Sequence, residues 1–372
     1  MKYDFIILGG TGMQGRICAR DLLESGYSVL LCGRDPSKIH SLITRWKKKS
    51  KFLRLDLNIA SVVRAAIRIS GARVVVNCAE LGYNVRIMQA CLAEKVSCTD
   101  LGGLQRVTKE QFKLHDAFEK KGIMCLTGCG STPGIASVLA RYGAEHLDNI
   151  TSIDLGFAWD SEPKVFVVPY SMLSIFAEFR EKPVIFEKGV FVTKNHYSFE
   201  RIFPRIGTQR MRGIVHSEVY TFPRSFPSVR SVRYFAGFPE HSLQYIEALL
   251  QLQCDTPAEL PHTLHLLKQL STPKGYREQE IIWVDMQGIT NGSTKTLHLT
   301  CTMSTQPGWE EAGSNVDTGR TMSVLSQMLL RGEIQATGVH APESVVAWKP
   351  FFRALAQRNM YVSCNGKKIV LS

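Results

Sequence analysis

Ile7-Leu8-Gly9-Gly10-Thr11-Gly12-Met13-Gln14-Gly15 is the stretch whose reading decides the fold. An apolar run, Phe5 to Leu8, leads into G-x-G-x-x-G at Gly10, Gly12 and Gly15, and Arg16 to Leu23 then reads as the start of a helix. Strand, glycine turn and helix in this order form the context that a dinucleotide-binding motif requires. Gly10 permits the tight turn, Gly12 lets the backbone approach a pyrophosphate, and Gly15 lets the helix pack closely on the strand. The unpaired amides at the helix start, around Thr11, Met13 and Gln14, then face the phosphates. The plainer alternative is a structural glycine turn, which the flanking strand and helix disfavour.

Outward from this turn, strand and helix patterns alternate as far as about Thr127. The predicted strands are Phe5 to Leu8, Ser28 to Cys32, Phe52 to Leu55, Val74 to Asn77, Ser97 to Asp100 and Met124 to Thr127. Helical stretches lie between them: Arg16 to Ser25, Pro36 to Lys48, Ile59 to Ile69, Val85 to Glu94 and Lys109 to Lys121. Such alternation predicts right-handed crossovers and an α/β fold, a Rossmann doubly wound parallel sheet. Ligands then sit at the carboxyl ends of the strands.

The second strand ends Leu31-Cys32-Gly33-Arg34-Asp35, with glycine where an NAD-preferring chain places an acid. Gly33 leaves room for a 2'-phosphate and Arg34 can bond it, so NADP is the expected cofactor. Asp35 keeps NAD open, as the ribose acid one register along, and Arg34 has the alternative of a solvated loop charge. Asp56, past the third strand, is placed to meet the adenine edge. Asn77, Cys78 and Ala79, at the end of the fourth, are placed near the nicotinamide ribose. Cys78 reads as a packing residue rather than a nucleophile, since no partner is visible to lower its pKa.

Two further glycine-rich turns follow predicted strands: Asp100-Leu101-Gly102-Gly103 and Gly128-Cys129-Gly130-Ser131-Thr132-Pro133-Gly134. Both should open on the cofactor edge. The second leads into a helix, Ile135 to His146, whose N-terminus can hold a carboxylate, and it can serve as a hinge as well. From about Asn149 to Met303 the pattern changes to longer strands, Thr151 to Phe157, Tyr234 to Gly237, Ile281 to Gly288 and Thr296 to Met303, with helix at Leu243 to Gln253 and Leu264 to Leu270. An α+β domain with a mixed or antiparallel sheet is expected there.

Asp100-Leu101-Gly102-Gly103, Ser131-Thr132-Pro133-Gly134-Ile135 and Tyr142-Gly143-Ala144 resemble the saccharopine dehydrogenase family, and most its lysine 6-dehydrogenase-like branch. Arg224-Ser225-Phe226-Pro227, Met322 to Gly332 and Gly338-Val339-His340-Ala341-Pro342-Glu343 follow in the same order, so the resemblance spans nearly the whole chain. It implies a dinucleotide domain over 1–130, an inserted substrate and dimerisation domain over 131–315, and a return to the first domain at about 315–350. It also implies oxidation or reduction of a carbon–nitrogen bond in an amino acid. Gly102, Gly103, Ser131, Thr132, Pro133, Arg224 and Ser225 are then candidates for substrate binding. Gly33-Arg34 departs from the acidic strand end of NAD-dependent relatives, and Gly237 to His241 matches the family's histidine segment only loosely.

Between His196 and Arg233 lie Arg201, Arg205, Arg210, Arg212, Arg224, Arg230 and Arg233, against only Glu200 and Glu218. Arginine suits bidentate recognition of carboxylates, so a carboxylated substrate is expected, with Arg224 its first contact. A solvated surface or a subunit contact would account for the same bias. Amine oxidation needs a base for one proton, and imine reduction needs the same group as an acid. Asp100, Tyr83 and His241 are the candidates; Asp100 has the nearly equal alternative of capping its own turn through Gly102. His340 reads as structural.

The 372 residues are 44% hydrophobic with a formal net charge of +12, enough for two cored domains and a bias towards anionic partners. The ten cysteines fit a reducing compartment, and no zinc spacing is present, so no metal is expected. No signal segment or 18-residue apolar run occurs, so a cytoplasmic protein without membrane or nucleic-acid partners, acting as a homodimer, is the expectation. No tyrosine has a lysine four residues on, which disfavours the short-chain dehydrogenases. A non-catalytic dinucleotide-binding protein and an enoyl or carbonyl reductase remain the alternatives.

Overall fold

The computed structural model describes residues 2–371, apart from the side chains of Glu311 and Ser314, and the chain divides into two units. Met1–Tyr142, Val316–Met360 and Val370–Ser372 form the first; Gly143–Asn315 and Tyr361–Ile369 form the second.

In the first unit the strands are β1 (Phe5–Leu8), β2 (Val29–Gly33), β3 (Ser50–Arg54), β4 (Val74–Asn77), β5 (Ser97–Asp100) and β6 (Met124–Thr127). Between them run α1 (Met13–Glu24), α2 (His40–Arg45), α3 (Ala60–Ser70), α4 (Asn84–Glu94), α5 (Gln105–Phe112) and α6 (His115–Lys120), and α7 (Ile135–Ala144) follows β6. Strands β1, β4 and β6 are buried at every position, which explains why they read as unbroken apolar runs rather than alternating ones. The sheet order is β3-β2-β1-β4-β5-β6, every pairing parallel, so the chain reverses direction between β1 and β4. That reversal is the topological switch point at which doubly wound sheets bind their ligands.

The second unit opens with β7 (Asn149–Glu162), α8 (Met172–Arg180), β8 (Val184–Glu187), β9 (Val190–Thr193), β10 (Ser198–Phe203) and β11 (Gly207–Gly213). It continues through α9 (Glu218–Ser225), β12 (Ser231–Gly237), α10 (Glu240–Gln251), α11 (Leu260–Leu267), β13 (Arg277–Thr290) and β14 (Ser293–Ser304). The chain then re-enters the first unit as α12 (Val316–Leu330), β15 (Gly338–His340), α13 (Pro342–Val345) and α14 (Trp348–Ala356), before the hairpin β16 (Tyr361–Cys364) and β17 (Lys367–Lys368) joins β14 of the second. The sheet is mixed: β7 and β12 are parallel, while β13 runs antiparallel to both β7 and β14. Its core centres on Trp283 and Phe235, whose rings stack with centroids 6.0 Å apart.

Three details differ from expectation. The first unit extends to Tyr142 rather than 130, because Tyr142 on α7 packs edge-on against Trp348 of α14 at 4.9 Å. The arginine-rich segment forms β10, β11 and a helix, α9, which its polar and interrupted pattern conceals. The three residues of β15 add a seventh parallel strand beside β6.

The returning helix locks onto α1. Gly319 brings α12 so close that a Cβ there would lie 2.5 Å from the Ile17 Cβ. Asp21, 2% exposed, accepts from Arg320 Nε at 3.0 Å and from Arg358 Nη2 at 2.8 Å. No helix among the described residues is long and apolar enough to cross a membrane.

Candidate functional site

At the switch point the backbone leaves no room for side chains. A Cβ on Gly9 would sit 2.7 Å from the Ala79 amide nitrogen, and one on Gly15 would sit 2.3 Å from the Gly9 carbonyl oxygen. Gly10 donates its N–H to the Cys32 carbonyl at 2.8 Å, and Gly12 donates to Gly9 at 3.0 Å, which fixes the turn. Helix α1 starts with no side-chain cap and no acid in its first turn. Such a terminus favours an anion, because its first amides lack partners and the helix dipole is positive there. Thr11, Met13 and Gln14 surround this terminus, as the motif requires. The fit of a dinucleotide pyrophosphate to this cradle is chemical as well as steric.

At the end of β2, Gly33 faces Thr11: a Cβ on Gly33 would lie 2.5 Å from the Thr11 hydroxyl oxygen. The glycine therefore accommodates its neighbouring side chain. Arg34 is exposed and makes no ion pair among the described residues. Asp35 is turned onto Ser37, which donates its N–H to Oδ1 at 2.9 Å and its hydroxyl to Oδ2 at 2.8 Å. These bonds hold the Asp35 pKa below the usual carboxylate value.

Asp100 closes β5 at the same sheet edge and ties the turn after it to α4, α5 and β6. Its Oδ1 accepts from the Gly102 N–H at 2.8 Å, Thr127 Oγ1 at 2.9 Å and Asn84 Nδ2 at 3.3 Å; Oδ2 accepts from Gln111 Nε2 at 2.6 Å. Asn77 Nδ2 extends the network by donating to Asn84 Oδ1 at 2.8 Å, while Asn77 Oδ1 accepts from the Ala79 N–H at 3.0 Å. Asp100 is 3% exposed, and burial, followed by the neighbouring Cys98, pushes its pKa up to about 6 against the pull of these hydrogen bonds. Gly102 abuts Gly128 and Pro133, so the two later glycine turns meet: a Cβ on Gly102 would be 2.7 Å from Gly128 Cα. Gly103 follows with φ at +129°, and Thr132 is half-buried beside Pro133. Ser131 accepts from Thr318 Oγ1 at 2.9 Å. Asn84, Gln111 and Thr127 carry no sequence signal for this role, since they come from three elements and meet only through the sheet.

Tyr83 lies elsewhere on the same edge. Its hydroxyl donates to Asn58 Oδ1 at 3.1 Å, and Asn58 in turn donates its N–H to the exposed Asp56 at 2.9 Å. Tyr83 thus joins the loop after β3. Cys78 is half-buried, with its N–H on the Leu8 carbonyl at 2.8 Å. His340 Nε2 bonds the Thr337 carbonyl oxygen at 2.8 Å, a structural contact. His115, Asp116 and Glu119 are the one group of metal-ligand type among the described residues, and His115 Nδ1 is already within 3.1 Å of the Val339 backbone.

In the second unit, His241 begins α10 and its Nε2 is 3.1 Å from Ser161 Oγ on β7. Tyr276 donates to Glu278 Oε1 at 2.6 Å and feels Ser161 electrostatically, so polar groups lie between His241 and a buried carboxylate. Burial holds the His241 pKa below its usual value. Ser161, Tyr276 and Glu278 come from different strands and loops and had no motif to reveal them.

Three of the seven arginines in this segment are matched by acids from distant parts of the sequence. Arg201 pairs with Asp285 at 2.7 Å, Arg210 with Glu240 at 3.1 Å and Arg233 with Asp154 at 2.5 Å. Arg224 is exposed near the end of α9, its guanidinium 5.4 Å from the Tyr220 ring centroid, with Ser225 after it.

Comparison with known proteins finds one family along nearly the whole chain. The saccharopine dehydrogenase NADP binding domain matches residues 5–126, and the saccharopine dehydrogenase C-terminal domain matches 130–360. A carboxyaminopropylagmatine dehydrogenase from Synechocystis sp. is 22% identical over 95% of this chain and 96% of its own. A carboxynorspermidine synthase from Vibrio alginolyticus is 26% identical over 60% of each chain. Saccharopine dehydrogenase (L-Glu forming) from Saccharomyces cerevisiae has a similar fold, with a TM-score of 0.74 over 99% of this chain and 100% of that one at 13% identity.

Proposed function

Because the chain belongs to the saccharopine dehydrogenase family, we propose that it transfers hydride, with NADP as its nicotinamide cofactor, at a carbon–nitrogen bond of a carboxylated, amino-acid-like amine. It is a nicotinamide-dependent oxidoreductase of CH–NH bonds. The contrast at the end of β2 carries the choice of NADP: Arg34 stands exposed, while the acid that follows it, Asp35, has both oxygens committed to Ser37. A free guanidinium suits a 2'-phosphate, and a committed carboxylate is a poor partner for ribose hydroxyls. The relatives named for carboxylated polyamine conjugates point the substrate towards an amine with a carboxylate at one end, and lysine is one member of that wider class.

The cradle of Gly9 to Gly15 and the start of α1 would hold the pyrophosphate, with Gly33 and Arg34 at the adenosine end and Asn77 to Ala79 along the edge. When bound, the cofactor supplies hydride exchange at its nicotinamide. This chain's task is to place the substrate, exclude water and move one proton.

We assign the proton to His241 rather than to Asp100 or Tyr83. Asp100 is sealed, with donors on both of its oxygens, so it serves to hold α4, α5, β6 and its own turn in register. The Tyr83 hydroxyl is given to Asn58. At His241 one ring nitrogen is held by the protein: in the tautomer that carries the Nε2–H, it donates to Ser161 Oγ at 3.1 Å. That leaves Nδ1 with a lone pair to take a proton from an amine nitrogen or, once protonated, to return it to an imine.

A cytoplasmic homodimer completes the proposal; all ten cysteines are free, and light scattering of the purified protein tests its assembly. The deciding assay is NADPH absorbance over a panel of aldehyde and amine pairs that includes carboxylated diamines. Tight NADPH binding with no turnover across that panel would favour a non-catalytic role.

A further inference from the structure

Between β11, β12 and α10 lies a pocket of about 140 Å³. Phe179 and Phe238 give it an apolar floor, and Arg210, Arg212, His196 and Glu247 give it polar walls. A cavity of about 150 Å³ holds benzene, so the space suits a ligand group of about six heavy atoms.

The charges in this pocket are unusually arranged. The Arg212 guanidinium lies over the Phe179 ring at 4.7 Å and makes one long bond, 3.5 Å, to the Phe179 carbonyl, while its Nε is buried without a partner. Glu247 is close enough to act on that charge, yet makes no salt bridge with it and accepts no hydrogen bond among the described residues. A half-buried cation and a half-buried anion are therefore held apart across one space. Each has lost part of its hydration without gaining a full partner, which costs free energy unless something completes the pair. Every other arginine–acid pair described above in this segment is closed directly.

We propose that this pocket binds the head group of an α-amino acid, its carboxylate on Arg212 and its ammonium on Glu247. The six heavy atoms of such a head group with its β-carbon match the space, and the β-carbon faces the phenylalanine floor. A guanidinium stacked on a ring presents its edge to a planar carboxylate, the geometry for which arginine is suited. Arg210, drawn off towards Glu240, adds positive potential without competing for the ligand. The pocket lies next to the proposed proton-handling end of α10: Phe238 contacts Trp159, which in turn faces His241, with ring centroids 6.4 Å apart in each case. As a substrate subsite the pocket rests on the function proposed above, but its binding is measurable without turnover.

L-Alanine is the probe, because it has the two charges and one β-carbon. Saturation-transfer NMR on the full-length protein should show its methyl group bound, with propionate, isopropylamine and inorganic phosphate each at least tenfold weaker. Arg212→Met and Glu247→Gln should each weaken L-alanine at least tenfold, and Arg212→Lys, which keeps the charge and the fold but loses the planar edge, should weaken it several-fold. NADPH affinity, measured in the same samples, should be unchanged. Absence of L-alanine binding, or L-alanine binding that survives both Glu247→Gln and Arg212→Lys unaltered, overturns the proposal. Propionate or phosphate binding as tightly as L-alanine overturns it too, in favour of a simple anion site. Failure of the cofactor reading would look different: wild-type protein would not bind NADPH while still binding L-alanine.

Discussion

Gly33 and Thr11 stand in contact at the carboxyl ends of β2 and β1, so close that a Cβ on Gly33 would reach 2.5 Å from Thr11 Oγ1 and 2.7 Å from Cγ2. The two residues that flank the expected adenosine end of the cofactor site therefore share one volume. Gly33→Ala should push Thr11 towards the cradle and weaken NADPH binding several-fold, and Thr11→Ala in the same chain should restore most of the loss. Titration of the two single variants and the double variant measures this coupling directly; strict additivity would mean that the contact is irrelevant to binding.

Arg34 bears on the choice of cofactor. A hydrogen bond to a charged group contributes about 1.5–3 kcal/mol, so Arg34→Ala should weaken NADPH by roughly ten- to a hundredfold and leave NADH nearly unaffected. Asp35→Asn should change neither, because its carboxylate serves Ser37. Equal losses for both cofactors in Arg34→Ala would exclude a 2'-phosphate contact.

Asp100 should mark its presence in stability more than in proton transfer. Its pKa rises from 3.8 in the unfolded chain to about 6 in the fold, so between these values the folded protein holds the proton more tightly. Its contribution is fully present below about pH 3.8 and is lost as pH rises through 6, a change on the order of 3 kcal/mol at about 1.36 kcal/mol per pKa unit. Urea denaturation from pH 4 to 7 should show this slope, superimposed on that of the other groups, and Asp100→Asn should remove it. Asp100→Ala should cost more, about 3 kcal/mol or above, by leaving the Gln111 and Gly102 donors without their acceptor.

His241→Gln should lower turnover by about a hundred- to ten-thousandfold with little change in NADPH affinity. In wild-type amine oxidation, the acidic limb of the pH–rate profile should fall below the ordinary histidine pKa of 6.5, since burial lowers it. Tyr276→Phe should move that limb, as it removes a polar group between His241 and Glu278, and leave KM almost unaltered. A profile identical to wild type in both variants would assign the proton elsewhere.

Asp21→Ala tests the lock between α1 and the returning helices. It would strand Arg320 and Arg358 without their shared acceptor, and removing one partner of a buried pair typically costs about 3–5 kcal/mol. A fall in Tm of several degrees is expected, and a Tm equal to wild type would show that the two guanidinium groups find other partners.

Local chemistry made much of the first unit legible. The glycine turn at Gly10, Gly12 and Gly15, the buried strands and the strand–helix alternation are properties of adjacent residues, and the sheet follows from them. The arginine bias between His196 and Arg233 was just as visible, but its meaning was not. Asp154, Asp285 and Glu240, which neutralise Arg233, Arg201 and Arg210, lie on β7, β13 and α10. Sequence proximity exposed the charges and hid their partners. Asp100 shows the same limit, since a carboxylate at the end of a strand reads as a reactive group until the donors from α4, α5 and β6 are placed around it.

The order of residues by itself therefore determined the nucleotide cradle, because a strand, three spaced glycines and a helix need only their neighbours to form it. Tertiary structure alone decided which polar groups remain available. Availability depends on what is brought within hydrogen-bond reach across strands and helices. On that basis Asp35 and Asp100 are committed, Arg34 is exposed, and Arg212 faces Glu247 across an open space.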